Sequence, residues 1–355
     1  MSPRPELVRG ATIAGTGMYV PDRVLSNADL ERIVETSDEW IVERTGIRER
    51  RIAAPEQASS DLALIAARRA LDMAQMLPTE IQHIVLATTT PDRILPSCAC
   101  TLQQKLGATN AAGYDVFAAC TGFVYGLGIA QALIAGRVAD NVLVVGVETL
   151  SRVTDYTDRN TCVLFGDGAG AVVMRPCAPG DGLLAVEMHS DGELGEVLEI
   201  PAGISRNPAS EETVRGRQHA IRMHGKRLFP FAVRAMEESL RRSLERAGLG
   251  VEDLEMVIPH QANLRIIDAV RERMALPAEK MIVNIDRYGN TSSASIPITL
   301  DEVVRAGRLK PGDNVGFAAF GGGVTWGASV MRWTLALPGT ARMAEQAATV
   351  NGVRV

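Results

Sequence analysis

The sequence predicts an α/β fold whose sheets are covered by helices on both faces, and three observations carry that prediction. Strand-like and helix-like runs alternate along the chain. The strand-like runs are apolar throughout, as in VLVVGV at 142–147, which suits strands buried on both faces. Two segments, LFGDGAGAVVM at 164–174 and AFGGGVTWGASVM at 319–331, share one plan: an apolar residue, Phe-Gly, a Gly-rich turn, then an apolar strand. Each closes its half of the chain, so a duplicated architecture is expected.

In chain order, strands are expected at 11–20, 81–90, 141–149, 162–174, 255–260, 281–285 and 314–333. Helical spacing fills 59–77, 96–106 and 227–247. The uncharged run 116–136 is long enough to raise a membrane span. It contains Thr121, Gln131 and several glycines and lacks a basic flank, so it reads as a buried central helix starting near Thr121. The turn-rich PCAPGDG at 176–182 divides the chain into halves at 1–178 and 179–338. PAGISRNPASEETVRGRQH at 201–219 reads as an excursion from the second half, and 339–355 as a loosely held tail.

A net charge of −5 argues against a nucleic-acid binder, though it leaves room for a local basic patch facing an acidic partner. The opening MSPRPELVRG has no apolar signal core, and five cysteines is an odd number. Reduced thiols in the cytoplasm are therefore expected. Cys98 and Cys100 form only C-x-C, and neither C-x-x-C nor H-E-x-x-H occurs, so no metal site is expected. GDGAG at 166–170 leads into a strand rather than a helix, which argues against dinucleotide binding.

Cys120 lies where the strand-like end of DVFAACTGFVYGLGIAQALIAG gives way to the central helix. A helix N-terminus favours a thiolate, so a lowered pKa is expected. The same residue is equally well read as a small apolar side chain packed at a strand–helix corner. His260 follows a strand in VIPHQANLRII, and Asn290 lies in the Gly/Ser/Thr-rich turn of NIDRYGNTSSASIP. Singly, these read as a structural histidine and a turn former. Together, Cys, His and Asn each stand at a strand end, where α/β folds gather their active sites.

Six stretches, SDEWIVERTGIRER, DVFAACTGFVYGL, TDRNTCVLFGDGAGAVV, VIPHQANLRII, RYGNTSSASIP and AFGGGVTWG, then disclose a resemblance covering about residues 8–334. The chain resembles the thiolase-fold condensing enzymes, and within them the β-ketoacyl-acyl-carrier-protein synthase III family. The resemblance implies a duplicated five-layer αβαβα fold, a homodimer and a two-step Claisen condensation. Cys120 would take an acyl group from acyl-CoA, and malonyl-acyl carrier protein would be decarboxylated to supply the attacking enolate. His260 and Asn290 would stabilise that enolate, and the amides of Cys120 and Gly322 would form the oxyanion hole. Coenzyme A, as part of the substrate and not a cofactor, would meet Trp40 and Arg159 on its adenine, Thr36 on the base, Arg44 on phosphate and Asn263 along the arm. Leu95, reaching across the dimer, with Leu150, Leu164, Phe165 and Phe320, would wall the acyl pocket. Arg265, Arg271 and Arg273 would dock the acidic carrier protein.

The sequence departs from the family pattern at Glu272, Pro230 and Leu95, where lysine, another basic residue and phenylalanine are common. Three other readings fit parts of the pattern. A papain-like protease shares the order Cys, His, Asn, but the C-G-[SA]-C-[WY] signature is missing. A starter-loading or acyltransferase enzyme of secondary metabolism would keep the same fold with a different acyl acceptor. A non-catalytic scaffold would have no use for three buried polar groups.

Overall fold

The computed structural model describes residues 9–336; the expected tail at 339–355 lies outside the described residues. Two sheets organise the chain. The first has the order β1 (Gly10–Tyr19), β5 (Asp167–Cys177), β4 (Val142–Thr149), β2 (His83–Ala87), β3 (Ala112–Val116). β2 is parallel to both β3 and β4, whereas β5 runs antiparallel to β1 and β4. The second has the order β7 (Leu254–Pro259), β8 (Asn314–Gly321), β9 (Thr325–Arg332), β6 (Gly182–Ser190), with only the β7–β8 pair parallel.

Helices separate and cover these sheets in five layers. α2 (Ser59–Ala74) and α3 (Cys98–Leu106) pack on the outer face of the first sheet through Leu62, Ala66, Ala70 and Leu102. Between the sheets lie α4 (Gly122–Ala135) and α7 (Ser295–Arg305), whose Phe123, Leu127, Ile296 and Leu300 meet Val144, Val172, Ile258 and Phe317. α5 (Gly225–Ala247) and α6 (Leu264–Arg273) cover the outer face of the second sheet. A further helix, α1 (Asp38–Thr45), and two short ribbons (24–26 with 49–51, 198–199 with 222–223) lie around one end. The observed layering is the αβαβα arrangement expected.

α4 is the buried central helix foreseen in the uncharged run. Its glycines allow close approach to the first sheet: a Cβ on Gly126 would sit 2.7 Å from Val144 Cγ1. No helix among the described residues is long and apolar enough to cross a membrane.

Three expectations are corrected. The run 281–285 makes only an isolated bridge from Met281 to Val257, because Asn284 is drawn into side-chain bonds with Thr299 and Glu302. Residues 162–164 lie in a turn, Phe165 makes an isolated bridge to Asn290, and the strand begins at Asp167. The strand expected over 314–333 is a hairpin broken at 322–324. β6 was not foreseen, and of β3 only its end, at the start of the strand-like DVFAAC run, was.

Candidate active site

Three chain segments converge on one cavity of about 600 Å³. The first follows β3. After Ala118, the chain turns through Ala119, whose φ of +46° is unusual for a residue with a Cβ, and enters a single 3-10 turn, Ala119–Thr121, before α4 begins. That turn carries Cys120, which is 7 % exposed and borders the cavity. The second half of the chain clasps the turn. Thr325 Oγ1 donates to Ala118 O (3.0 Å) and lies 2.9 Å from Thr121 Oγ1. Gly321 backs directly onto the cysteine: a Cβ there would lie 2.6 Å from Cys120 N.

The second segment leaves β7. His260 N donates to Ala318 O, extending the β7–β8 ladder by one residue. Gln261, wholly buried, pins the following loop. Its Nε2 donates to Pro259 O and Ile282 O, and its Oε1 accepts from Asn284 N. His260 Nδ1 lies 2.7 Å from Ser295 Oγ, so Nε2 is the nitrogen left for the cavity.

The third segment is the turn before α7. Asn290 N donates to Leu164 O and Asn290 O accepts from Gly166 N, so the first half of the chain holds its backbone. Ser292 N donates to Asn290 Oδ1 (2.8 Å), which leaves the Nδ2 amide as the free end of the side chain. Cys120, His260 and Asn290 thus border the same cavity, each reduced to one available functional group.

Burial sets their protonation. Desolvation pushes the Cys120 thiol up to about 12, reinforced by the nearby Glu148 carboxylate and opposed by the Ser292 hydroxyl. This corrects the expected thiolate: the cost of burying a charge outweighs the helix N-terminus, and the resting sulfur is a thiol. Burial likewise lowers His260 to about 3, so the imidazole is neutral. Glu148, wholly buried, is raised by desolvation and accepts hydrogen bonds from Thr88, Thr89, Thr90 and Ser293.

At the cavity mouth stand Trp40, Arg44, Asn263 and Arg265. Arg159 stacks directly on Trp40, its Cζ 4.3 Å from the ring centroid, so a base held between them requires the pair to part. Thr36 does not border the cavity, and its Oγ1 is buried without a partner. Asn263 caps α6: its Oδ1 accepts from Arg265 N while its Nδ2 donates to Arg44 O, tying α1 to α6.

Among the expected wall residues, Leu164, Phe165 and Phe320 line the cavity. Leu150 does not; it packs behind the wall with Ile41, Ile52 and Val163. Leu95 is 85 % exposed and lies away from this cavity. The docking trio also divides. Arg265 borders the mouth, whereas Arg273 is ion-paired with Glu237, and Arg271 with Asp268 and Glu272. Sequence reasoning missed Leu198, Met223, Lys226 and Leu228 on the cavity wall, and Gln261, Ser292 and Ser295 behind the catalytic candidates. Leu198 and Met223 lie in the short ribbon flanking the 201–219 excursion, where two-residue strands leave no periodic signal. Gly321 rather than Gly322 borders the cavity; Gly322 is the next residue in the same turn.

A cysteine, a histidine and an asparagine facing one cavity in a doubled αβαβα core define a thiolase-fold condensing enzyme. Residues 114–192 match the model for 3-Oxoacyl-[acyl-carrier-protein (ACP)] synthase III, and 244–333 the model for its C-terminal region. The chain is 52% identical over 322 residues to the β-ketoacyl-[acyl-carrier-protein] synthase III of Desulfitobacterium hafniense, covering 91% of this chain and 97% of that one. It is similar to the solved 3-oxoacyl-[acyl-carrier-protein] synthase III from Aquifex aeolicus, with TM-score 0.85 and 48% identity over 91% of this chain and 100% of the other. The priming β-ketosynthase of the R1128 polyketide pathway gives TM-score 0.86 at 36% identity, over 94% and 99% of the two chains. The protein belongs to the β-ketoacyl-[acyl-carrier-protein] synthase III family, and is an acyltransferase of the condensing class that initiates fatty acid synthesis.

Proposed function

We propose that the protein joins an acyl-CoA starter to malonyl-acyl carrier protein, with Cys120 as nucleophile. The observation that supports this reading most strongly is the meeting of thiol, imidazole and carboxamide in one cavity, the first from residues 1–178 and the other two from 179–338. The sulfur attacks the thioester carbonyl, the acyl C–S bond to coenzyme A breaks, and the thiol proton leaves with the coenzyme A sulfur. Malonyl-carrier protein then loses CO2. Its C–C bonding pair becomes an enolate, whose oxygen accepts hydrogen bonds from His260 Nε2 and Asn290 Nδ2. The enolate carbon attacks the acyl-cysteine, a C–C bond forms, the C–S bond breaks, and the Cys120 thiolate takes its proton from solvent water. The amides of Cys120 and Gly322 hold the tetrahedral oxyanion; losing one such donor costs roughly 3–4 kcal/mol of barrier.

Coenzyme A enters only as the carrier of the starter, with Trp40, Arg159, Arg44 and Asn263 as its contacts. Arg265 meets the carrier protein. In a homodimer, Leu95 of one copy reaches the partner's acyl pocket, a role that its exposure favours. The five unpaired cysteines support a reducing, cytoplasmic setting. The greater likeness to fatty-acid enzymes than to the polyketide-priming enzyme favours primary metabolism.

Mass spectrometry after exposure to short acyl-CoAs tests the reading. An acyl adduct is expected on Cys120 and lost in Cys120→Ala. His260→Ala and Asn290→Ala should acylate yet fail to condense; normal condensation by both would overturn the assigned roles.

A further inference from the structure

The imidazole of His260 is neutral, and a neutral imidazole donates from only one of its two nitrogens. Stabilising an enolate requires the N–H at Nε2, so something must hold Nδ1 as an acceptor. The group against Nδ1 is Ser295 Oγ, 2.7 Å away and 2 % exposed. Ser295 lies 35 residues from His260, as the first residue of α7.

A hydroxyl has one proton and two lone pairs. Three groups surround Ser295 Oγ. Gln261 N–H donates to it at 3.3 Å and uses one lone pair. Ser292 O, an acceptor only, lies 2.9 Å away. His260 Nδ1 is the third. The hydroxyl proton therefore goes either to Ser292 O or to Nδ1. Ser292 O already accepts the backbone N–H of Ser295, which closes the 3-10 turn, so it does not depend on the hydroxyl. Nδ1 has no other partner among the described residues. The bond from Gln261 N–H polarises the hydroxyl and strengthens it as a donor. The same loop that aims His260 thus also primes the group that selects its tautomer.

We propose that Ser295 is a positioning residue that donates its hydroxyl proton to His260 Nδ1 and thereby fixes the imidazole as the Nε2–H tautomer, facing the cavity. This inference rests on the reading of His260 as an enolate hydrogen-bond donor. It makes His260 a fixed neutral donor throughout the cycle, with no proton gained or lost at the ring. The depressed basicity of the buried ring agrees with that role.

The test combines nitrogen NMR with the two half-reactions. In wild-type protein labelled with 15N-histidine, His260 is expected to show a pyridine-like Nδ1 and a pyrrole-like Nε2, unchanged across neutral pH. Ser295→Ala should lose that pattern and lower malonyl condensation on the order of 10²-fold, as for one lost oxyanion donor, while Cys120 acylation by acyl-CoA stays near wild type. Ser295→Thr, which keeps the hydroxyl, should restore both the NMR pattern and condensation. A pyrrole-like Nδ1 in wild type would overturn the proposal, as would a Ser295→Ala variant with the wild-type tautomer and rate. His260→Ala separates the two levels. If it condenses normally, the role of His260 is wrong; if it fails while Ser295→Ala does not, only the tautomer assignment falls.

Discussion

Replacing Gly321 by alanine would test how tightly the two halves fix the nucleophile. The added Cβ would lie 2.6 Å from Cys120 N, 3.0 Å from its Cβ and 3.2 Å from its Cα. Ordinary contact begins near 3.4 Å, so the backbone must move by about 0.8 Å, and no flexible side chain is available to give way. The cysteine turn is also tied to this hairpin through Thr325, the cross-strand partner of Gly321, which resists the shift. Overpacking of this kind costs about 1–3 kcal/mol, or roughly 1–4 °C in Tm for a chain of this size. The displacement also changes where the sulfur sits relative to His260 and Asn290, which line the same cavity. A misplacement near 1 Å costs on the order of 10²-fold in rate. Differential scanning calorimetry and the rate of Cys120 acylation, followed by mass spectrometry, measure the two effects. Gly192→Ala, whose Cβ would meet nothing within 4 Å, is the control. If Gly321→Ala keeps both the wild-type Tm and the wild-type acylation rate, Gly321 does not seat the nucleophile.

Three more outcomes are expected. His260 carries an ordinary pKa of 6.5 when unfolded and about 3 when folded, so its contribution to stability is present above pH 6.5 and lost as pH falls toward 3. At about 1.4 kcal/mol per pH unit this amounts to roughly 5 kcal/mol, and acid denaturation of His260→Gln should begin at lower pH than wild type; an unchanged midpoint would show that the ring is not buried neutral. Arg265→Glu should raise KM for malonyl-carrier protein with Tm unchanged, whereas Arg273→Glu, which sets a second carboxylate against Glu237, should lower Tm and leave that KM alone. Leu198→Ala should extend the range of starters accepted in an acyl-CoA panel, and Leu150→Ala should cost about 2–5 kcal/mol of stability by denaturant titration while leaving that range as it was.

The parts of this enzyme legible in its sequence are those that depend on local order. Alternating apolar runs foretold α/β layers; His260 stood out because it follows a strand into a polar turn, and Asn290 because it lies in a Gly/Ser/Thr-rich turn, although the strand expected before that turn does not form. The missed parts depend on distance along the chain. β6 escaped notice because Glu187 and His189 interrupt its apolar run; folding pairs them with each other and Glu187 with Arg246. Gln261, Ser292 and Ser295 look like ordinary turn and cap residues. Only the approach of α7 to the end of β7 turns Ser295 into the partner of His260. The family resemblance implies Leu150 as a wall residue, yet its side chain packs in the cluster behind.

The state of the nucleophile was misjudged for the same reason. A helix N-terminus is visible in a sequence, and it argues for a thiolate; the depth of the surrounding packing is not visible, and here it decides. With a neutral thiol beside a neutral imidazole, neither of these two groups carries a charge at rest. The negative charge appears only as the substrate carbonyls arrive, against the Asn290 amide and the backbone N–H groups already aimed at them. Burial that raises the thiol also excludes water, so those donors act at low dielectric, where each is worth most. On this account the cavity lowers the barrier by keeping its donors fixed and dry. Because the thiolate is the attacking form and the sulfur rests protonated, acylation of Cys120 should quicken as pH rises from 6 to 8, by roughly tenfold per unit, and a rate flat over that range would instead require a thiolate already formed at rest.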